Sequence, residues 1–254
     1  MTRAHETVVA DQFGPRAHAY VESAVHARGE DLDRLEAIVA AASPAAALDL
    51  GTGGGHVAYR LAAHARAVTA CDLSADMLAA VVETARERGL SNIATAEAPA
   101  EALPFADGAF DFLGCRYSAH HWRGFEAGLA EARRVLEPGS TAVFVDAVSP
   151  GPALLDTHLQ AVELLRDPSH VRDYTASEWL AALTRAGFSV AAMHAFRVRI
   201  AFGPWIERMR TPPGHVGAIR ALQALASSEV REAFAIEADG SFMLDGLVIE
   251  ARAA

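Results

Sequence analysis

The chain has 254 residues, of which 52% are hydrophobic and 21% are charged. This balance predicts one globular domain and argues against extended disorder, because the chain can bury a sizeable core. The formal charge of −10 argues against binding to a nucleic-acid backbone, which needs clustered Lys and Arg. It favours a small, uncharged or cationic substrate.

The two cysteines, Cys71 and Cys115, lie in apolar runs without metal-ligand spacing. We expect them to be reduced core thiols of a cytoplasmic protein with no metal site. No window approaches the run of about 18 apolar residues that a membrane span needs, and no basic stretch precedes an apolar one at the amino terminus. No membrane span is therefore predicted.

From residue 31 onward the hydrophobic pattern alternates between the helical and the strand period. Helices are predicted from about Asp31, over 56–65, between the N-cap Ser74 and Gly89, and over 125–136. Strands are predicted at 46–50, 67–73, 93–96, 110–115 and 141–148. Such alternation predicts an α/β fold with a parallel sheet.

Beyond residue 148 the regularity is interrupted twice. A helix at 154–165 and a polar stretch at 166–174 precede the capping box of Thr175 and Glu178, which starts a helix ending at Gly187. Strands at 188–200 and 247–252 flank an irregular region that contains a helix at 216–225. We expect the irregular segments 149–175 and 203–235 to cover the substrate.

A glycine-rich segment, Gly51–Gly55, follows the first predicted strand. Glycine tolerates positive φ and has no Cβ, so this backbone can approach a ligand closely. Asp72 ends the second strand about 20 residues later, where an acidic side chain can accept ribose hydroxyls. The alternatives are a tight turn for the glycines and a helix-initiating role for Asp72. Together the two features predict a nucleoside site.

His56 stands where a dinucleotide fingerprint has its third glycine, and no Gly-Lys-Ser/Thr follows the loop. The first observation disfavours an NAD-dependent oxidoreductase, and the second excludes a P-loop. A non-catalytic nucleoside-binding or regulatory protein on the same scaffold remains open, because binding residues survive when chemistry is lost.

Four segments, in the right order, resemble class I S-adenosylmethionine-dependent methyltransferases, and among them the ubiquinone and menaquinone biosynthesis type. The segments are Leu48–Gly55, Cys71–Leu78, Ala100–Asp111 and Arg133–Gly139. The resemblance implies a Rossmann-like, doubly wound sheet of seven mostly parallel strands with an antiparallel last strand. It also implies a single domain, with an N-terminal helical cap at 1–43, a cofactor-binding core at 44–148 and a helical insert or lid.

The resemblance further implies where S-adenosylmethionine, and its product S-adenosylhomocysteine, would bind. The glycine loop would face the methionine part, Asp72 the ribose, and Leu73 and Met77 the adenine. Many relatives have Asp where this chain has Pro99, so the backbone of Ala100 would take over that contact. The candidates for cofactor binding are Asp49, Gly51, Thr52, Gly53, Gly55, Asp72, Leu73, Met77, Pro99, Ala100, Glu101, Arg116 and Ser118.

In such a fold the loop at 115–122 would line the sulfonium and the methyl acceptor. It lacks the Asn/Asp-Pro-Pro-aromatic run typical of enzymes that methylate base or amide nitrogens. A histidine suits a general base for a phenol or carbon acid, so His121 is the first catalytic candidate, followed by His120 and by Tyr20 on the amino-terminal segment.

Each of these candidates also has a purely structural alternative. Either histidine would serve equally well as a helix cap or as packing under Trp122, Arg116 as a surface or sheet-edge charge, and Tyr20 as helix packing. Together with the resemblance, the sequence predicts a monomeric or homodimeric methyltransferase acting on an O, C or N atom of a small molecule.

Overall fold

The computed structural model describes residues 4–14 and 28–254 of the chain. Within these ranges seven strands form one sheet in the order β3-β2-β1-β4-β5-β7-β6. β7 pairs antiparallel with both β5 and β6, and the other six strands are parallel to one another. The strands are β1 Ala46–Leu50, β2 Ala67–Asp72, β3 Ile93–Glu97, β4 Phe110–Arg116, β5 Leu136–Ala147, β6 Phe188–Ile200 and β7 Phe242–Ala253. The predicted fold class is confirmed.

Helices flank the sheet on both faces. They are α1 His5–Phe13, α2 Glu30–Ala42, α3 His56–Ala62, α4 Ala75–Glu87, α5 Phe125–Arg134, α6 Ala153–Arg166, α7 Ala176–Arg185, α8 Phe202–Met209, α9 Pro213–Ala224 and α10 Ser228–Ala233, with a 3₁₀ turn at Ala119–His121. Two predicted caps form: Ser74 accepts a hydrogen bond from the backbone of Met77, and Thr175 and Glu178 make a reciprocal capping box. No helix in the described ranges is long and apolar enough to cross a membrane.

Two element boundaries and one number of helices differ from the sequence prediction. Leu136 was assigned to a helix but begins β5, because α5 ends at Arg134 and the apolar spacing of Leu136 fits either element. β7 begins at Phe242 and not at Leu247, since it pairs along the whole of β6. The region after residue 203 contains three short helices where one was predicted.

Each face of the sheet carries its own hydrophobic core. On one face Leu113 and Phe144 pack with Leu129 and Trp179 of the covering helices. On the other face Phe112 packs with residues of α2 and α3, among them Leu35, Val57 and Leu61. Burial on both faces explains why the central strands read as nearly continuous apolar runs.

A third core joins the two irregular segments. Leu159 of α6 packs with Phe202, Ile219 and Phe234 of the later helices, and with Phe242 at the start of β7. The segments that interrupt the regular pattern therefore form one helical layer beside the extended ends of β6 and β7.

The strand order reverses between β1 and β4, and in α/β sheets ligands bind at the carboxyl ends of the strands at such a point. Arg116 ends β4 there, and its Nε donates a hydrogen bond of 2.6 Å to Asp31 of α2. Both side chains are buried, at 5% and 6% exposure. This ion pair fixes α2 against the edge of the sheet where a ligand is expected.

We expect Asp31→Ala to lower the free energy of unfolding by about 3–5 kcal/mol, because it leaves the buried Arg116 guanidinium without this carboxylate. Asp33→Ala is the matched control in the same helical turn. Its carboxylate is 68% exposed and pairs with Arg60 at 3.5 Å, so its loss should cost less than about 1 kcal/mol. Denaturant titration of both variants measures the difference, and equal costs would refute the assigned role of the Asp31–Arg116 pair.

Candidate functional site

A cavity opens at the carboxyl ends of β1, β2 and β4, and it encloses about 1060 Å³ including its mouth. The glycine loop and Asp72 form its floor, and α1 lies across it through His5, Glu6, Val9 and Phe13. The ring of Phe13 packs edge-on against His121, and the His5 side chain bonds the His121 carbonyl at 2.9 Å. The amino-terminal helix thus closes over this cavity.

Gly51 and Gly53 of the glycine loop both have a positive φ, but their surroundings differ. Gly51 has a φ of +73°, and a Cβ there would overlap Ser118 Oγ. Gly53 has a φ of +48°, and a Cβ there would meet no atom within 4 Å. The loop therefore packs tightly against the end of β4 at Gly51 but leaves open space for a ligand at Gly53.

Asp49 lies under the loop with one carboxylate oxygen bonded and the other not. Its Oδ2 accepts hydrogen bonds from Thr52 Oγ1 at 2.6 Å and from the backbone of Ala58 at 2.8 Å. Its Oδ1 is buried without a hydrogen-bond partner among the described residues. Burial raises the pKa of Asp49 to about 7. An orphaned buried oxygen in a cavity wall fits a ligand that brings a donor or cationic group.

The carboxylate of Asp72 is held in place by two backbone N–H groups, one from the glycine loop and one from the residues that follow Asp72. Its Oδ2 accepts from Gly53 at 2.8 Å and its Oδ1 from Ser74 at 3.0 Å. Burial raises the pKa of Asp72. Because a carboxylate oxygen can accept more than one hydrogen bond, both oxygens keep the capacity to bind vicinal hydroxyls.

The structure brings most of the predicted cofactor residues to this cavity. The wall contains Asp49, Gly51, Thr52, Gly53, Asp72, Leu73, Met77, Ala100, Glu101, Arg116 and Ser118. Gly55 and Pro99 do not line it; Gly54 lies there instead of Gly55, and Ala98 flanks Pro99 on the wall. Tyr20 lies outside the described residues.

Several predicted side chains also have structural partners. The Glu101 carboxylate accepts a hydrogen bond of 2.9 Å from the backbone of Gly124, at the start of α5. Ser118 Oγ accepts one of 3.0 Å from the Trp122 indole. For these residues a ligand would meet groups that the fold already holds rigidly.

A second cavity of about 1190 Å³ adjoins the first, and the two share Phe13, Arg116, Tyr117 and His121. Tyr117 adopts a left-handed φ of 51°, a strained conformation of the kind that clusters at functional sites. Both irregular segments line this cavity, through Glu163, Arg166 and Asp173 from the first and Trp205 and Arg208 from the second.

Sequence reasoning missed the part that most of these residues play. Glu163 lies on the helix predicted at 154–165, Trp205 and Arg208 lie on a helix that was not predicted, and no motif marks any of the three. Within the polar stretch at 166–174, the signal was the concentration of charge itself. His5, Glu6 and Val9 lie within the helical cap that the resemblance implies at 1–43, but no motif marked them individually.

His120 makes a close ion pair at the back of the second cavity. Its Nδ1 lies 2.5 Å from Asp146 Oδ1, and its backbone nitrogen donates to Asp146 Oδ2 at 3.3 Å. Burial by itself would lower the pKa of His120, but the Asp146 carboxylate outweighs it and raises the pKa to about 9. His120 is therefore an imidazolium at neutral pH.

His121 is held in the opposite state. Its Nδ1 lies 3.1 Å from the carbonyl oxygen of Ser169, which only accepts, so Nδ1 carries the proton. Burial and the adjacent charge of His120 lower the pKa of His121 well below its usual range. The ring is therefore neutral, with the Nε2 lone pair as its basic site.

The loop at 167–173 forms hydrogen bonds with both histidines, His120 and His121. Asp167 accepts from the backbone of Ser169 at 2.9 Å and from its hydroxyl at 2.6 Å, and the backbone of Val171 donates to the His120 carbonyl at 2.8 Å. The first irregular segment thus sets the tautomer of His121.

Comparison with known proteins agrees with this geometry. A family model described as "Methyltransferase domain" matches residues 48–144. YafE of Escherichia coli, an uncharacterised protein, is 44% identical over 79% of this chain and 97% of its own length. YcgJ of Bacillus subtilis, an uncharacterised methyltransferase, is 30% identical over 94% of this chain and 96% of its own.

The crystal structure of YcgJ superposes with a TM-score of 0.82, over 87% of this chain and 97% of that one. A ubiquinone/menaquinone biosynthesis C-methyltransferase of Sinorhizobium fredii is 30% identical over 58% of this chain and 70% of its own. The fold and the cavity define an α/β protein with a ligand-sized site where the strand order of its sheet reverses. The chain belongs to the class I S-adenosylmethionine-dependent methyltransferases, and this membership removes the oxidoreductase alternative.

We predict that nitrogen-15 NMR at pH 7.5 will show a doubly protonated His120 and a neutral His121 with its proton on Nδ1. Asp146→Asn removes the charge that stabilises the imidazolium, so the pKa of His120 should fall to its unperturbed value of about 6.5 or below. A His121 that titrates near pH 6.5 in the wild-type protein would contradict the assigned states.

Proposed function

We propose that the chain transfers the methyl group of S-adenosylmethionine to a small molecule at an O, C or N atom. Of these acceptors, the site favours an acidic O–H or C–H compound. The observation that carries the proposal is His121, which lies in the wall common to both cavities with a neutral, Nδ1-protonated ring. A base is needed only for acceptors that are protonated at working pH, so a positioned base favours oxygen and carbon over amines.

The first cavity fits the cofactor by its own chemistry. S-adenosylmethionine, when bound, supplies a methyl group activated by the sulfonium. Asp49 Oδ1 would accept from the amino group, and the open space at Gly53 would admit the methionine chain. Asp72 would hold the ribose hydroxyls, while Leu73 and Met77 would flank the adenine.

The second cavity would hold the acceptor. Among the residues that the structure describes, the two cavities share the wall of Phe13, Arg116, Tyr117 and His121, so an acceptor there would reach the cofactor cavity beside the His121 ring. Enclosure of both ligands excludes water and orients the reactants, which is the main contribution of protein to a displacement of this kind.

His121 would take the acceptor proton on Nε2. Its lowered pKa makes it a weak base, so the hydroxyl or carbon acid that it serves must itself be acidic. The His120 imidazolium would stabilise the anion that forms, while Asp167 would compensate the charge that His121 acquires. The carbon acceptor of the S. fredii relative, as its name describes it, is compatible with this chemistry.

The cofactor assignment predicts that Gly53→Ala weakens the binding of S-adenosylmethionine, measured by calorimetric titration, by roughly 10–100-fold, because the added methyl group enters ligand space. Gly139→Ala is the control: its φ is +84°, a Cβ meets nothing within 4 Å, and the residue lies away from both cavities. Both variants carry the same kind of left-handed strain, so equal affinities would argue against the assignment.

For catalysis, we expect His121→Ala to lower kcat/KM for phenolic or enolic acceptors, measured at saturating cofactor, by about 100-fold or more. Formation of S-adenosylhomocysteine over a panel of phenols, enols, amines and carboxylates provides the measurement. His64→Ala, in a histidine that pairs with Glu36 away from both cavities, is the control.

Loss of no more than a few-fold in His121→Ala would show that no base acts there. Turnover of amines alone would place the acceptor atom on nitrogen. Cofactor binding without turnover of any class would instead support the non-catalytic alternative.

A further inference from the structure

Asp173 is a buried acid in the wall of the second cavity that lacks the partners expected of it. It is 2% exposed, and its Oδ2 has no hydrogen-bond partner among the described residues. Most buried polar groups in proteins are hydrogen-bonded, and leaving one unpaired costs stability. An exception in a cavity wall indicates a group held for a ligand.

The backbone of Asp173 is held by two hydrogen bonds with the side chain of Gln160. Gln160 Oε1 accepts from the Asp173 nitrogen at 3.1 Å, and Gln160 Nε2 donates to the Asp173 carbonyl at 2.8 Å. Gln160 Oε1 also accepts a hydrogen bond of 2.9 Å from His170 Nε2. The N–H group of His170 Nε2 is therefore engaged by Gln160, and Asp173 Oδ2 lies 4.0 Å from that nitrogen, beyond hydrogen-bond distance.

The surroundings determine what Asp173 can bind. Burial and the nearby carboxylate of Glu163 raise the pKa of Asp173 well above its usual range, which favours the neutral acid, the form that can donate a hydrogen bond. The charged and titratable groups around it are Glu163, Arg166, Arg208, His120, His121, His170 and Asp146. The two arginines and the His120 imidazolium disfavour a cationic ligand, contrary to the preference suggested by the net charge of the chain.

The rest of the wall combines apolar and aromatic side chains with charged ones. The charged ones are Arg28 and several that are already paired, Arg116 with Asp31, Glu30 with His194 and Arg197 with Asp245. The apolar and aromatic ones are Phe196, Val198, Ile200, Trp205 and Leu244. We infer that Asp173 is a specificity-determining residue that donates a hydrogen bond to a carbonyl oxygen of an uncharged, largely apolar acceptor. The inference rests on the proposed function, because that carbonyl, when conjugated to the reacting hydroxyl or carbon, acidifies it enough for the weak base His121. A hydrogen bond to the carbonyl also stabilises the anion.

The test uses para-hydroxyacetophenone and para-ethylphenol, which have nearly the same shape but differ in the carbonyl oxygen. Titration of the wild-type protein with each compound, in the presence of S-adenosylhomocysteine, should give at least about tenfold tighter binding of the ketone. Asp173→Leu should abolish this preference, whereas Asp173→Asn, whose amide still donates, should keep most of it.

Thermal unfolding separates recognition from a structural role. Asp173→Leu removes an unpartnered buried polar group, so its Tm should be equal to or above that of the wild type. A marked fall in Tm for both variants would indicate that the carboxyl group supports the fold, and would overturn the inference.

The two proposals fail in different ways. Equal binding of the two compounds, or binding of neither, overturns the role of Asp173 even if methyl transfer to other acceptors is observed. A ketone preference that depends on Asp173, without methyl transfer to any acceptor of the panel, supports Asp173 as a binding residue and contradicts the proposed function.

Discussion

Ionisable side chains buried under two adjoining cavities impose the constraint on which the rest of the site depends. A charge in a medium of low dielectric must be paired, hydrogen-bonded or neutralised. His120 and Asp146 satisfy this requirement as an ion pair, and Arg116 and Asp31 do so at the end of β4. Burial, together with the positive charge of His120, lowers the pKa of the neighbouring His121 and so favours its neutral form.

Of the four buried carboxyl oxygens without a hydrogen-bond partner within the described residues, two line the cavities, namely Asp49 Oδ1 and Asp173 Oδ2. They lie in different cavities, one on each side of the wall that contains His121. One lies at the expected place of the cofactor amino group, and the other in a pocket lined by both irregular segments. The other two, Asp167 Oδ2 and Asp245 Oδ1, line neither cavity, and Asp245 Oδ1 lies 2.6 Å from Arg197 Nε. The two unpartnered oxygens at the cavities are thus the ones that the proposed function assigns to ligands.

The sequence was sufficient to predict the sheet and to select most residues of the first cavity wall, because these depend on local patterns. Strand periodicity predicted β1–β5, and the glycine loop followed by Asp72 predicted a ligand site at the ends of β1 and β2. Gly55 failed to reach the wall since a Cβ there would face the Tyr59 ring, whereas Pro99 precedes the turn that brings Ala100 to the cavity. Neither orientation is encoded in a motif.

The acceptor side could not be read from the sequence, because its residues come from distant segments that meet only in the folded chain. His121 and Ser169 are 48 positions apart, yet their hydrogen bond decides which nitrogen of the histidine is basic. Asp173 Oδ2 lacks a partner because His170 Nε2 donates its hydrogen bond to Gln160 instead. A side-chain contact of this kind leaves no periodic pattern in the sequence. Closure of the first cavity by α1 depends likewise on single contacts, such as that of Phe13 with His121.

The central claim is that the cofactor and the acceptor occupy separate cavities joined at His121. A crystal structure of the protein with S-adenosylhomocysteine tests this claim most directly. The account predicts the amino acid part over Gly53 and Asp49, the ribose at Asp72, and the sulfur facing the wall shared with the second cavity. A ligand lodged among Glu163, Asp173 and Trp205, or a sulfur directed away from His121, would contradict it.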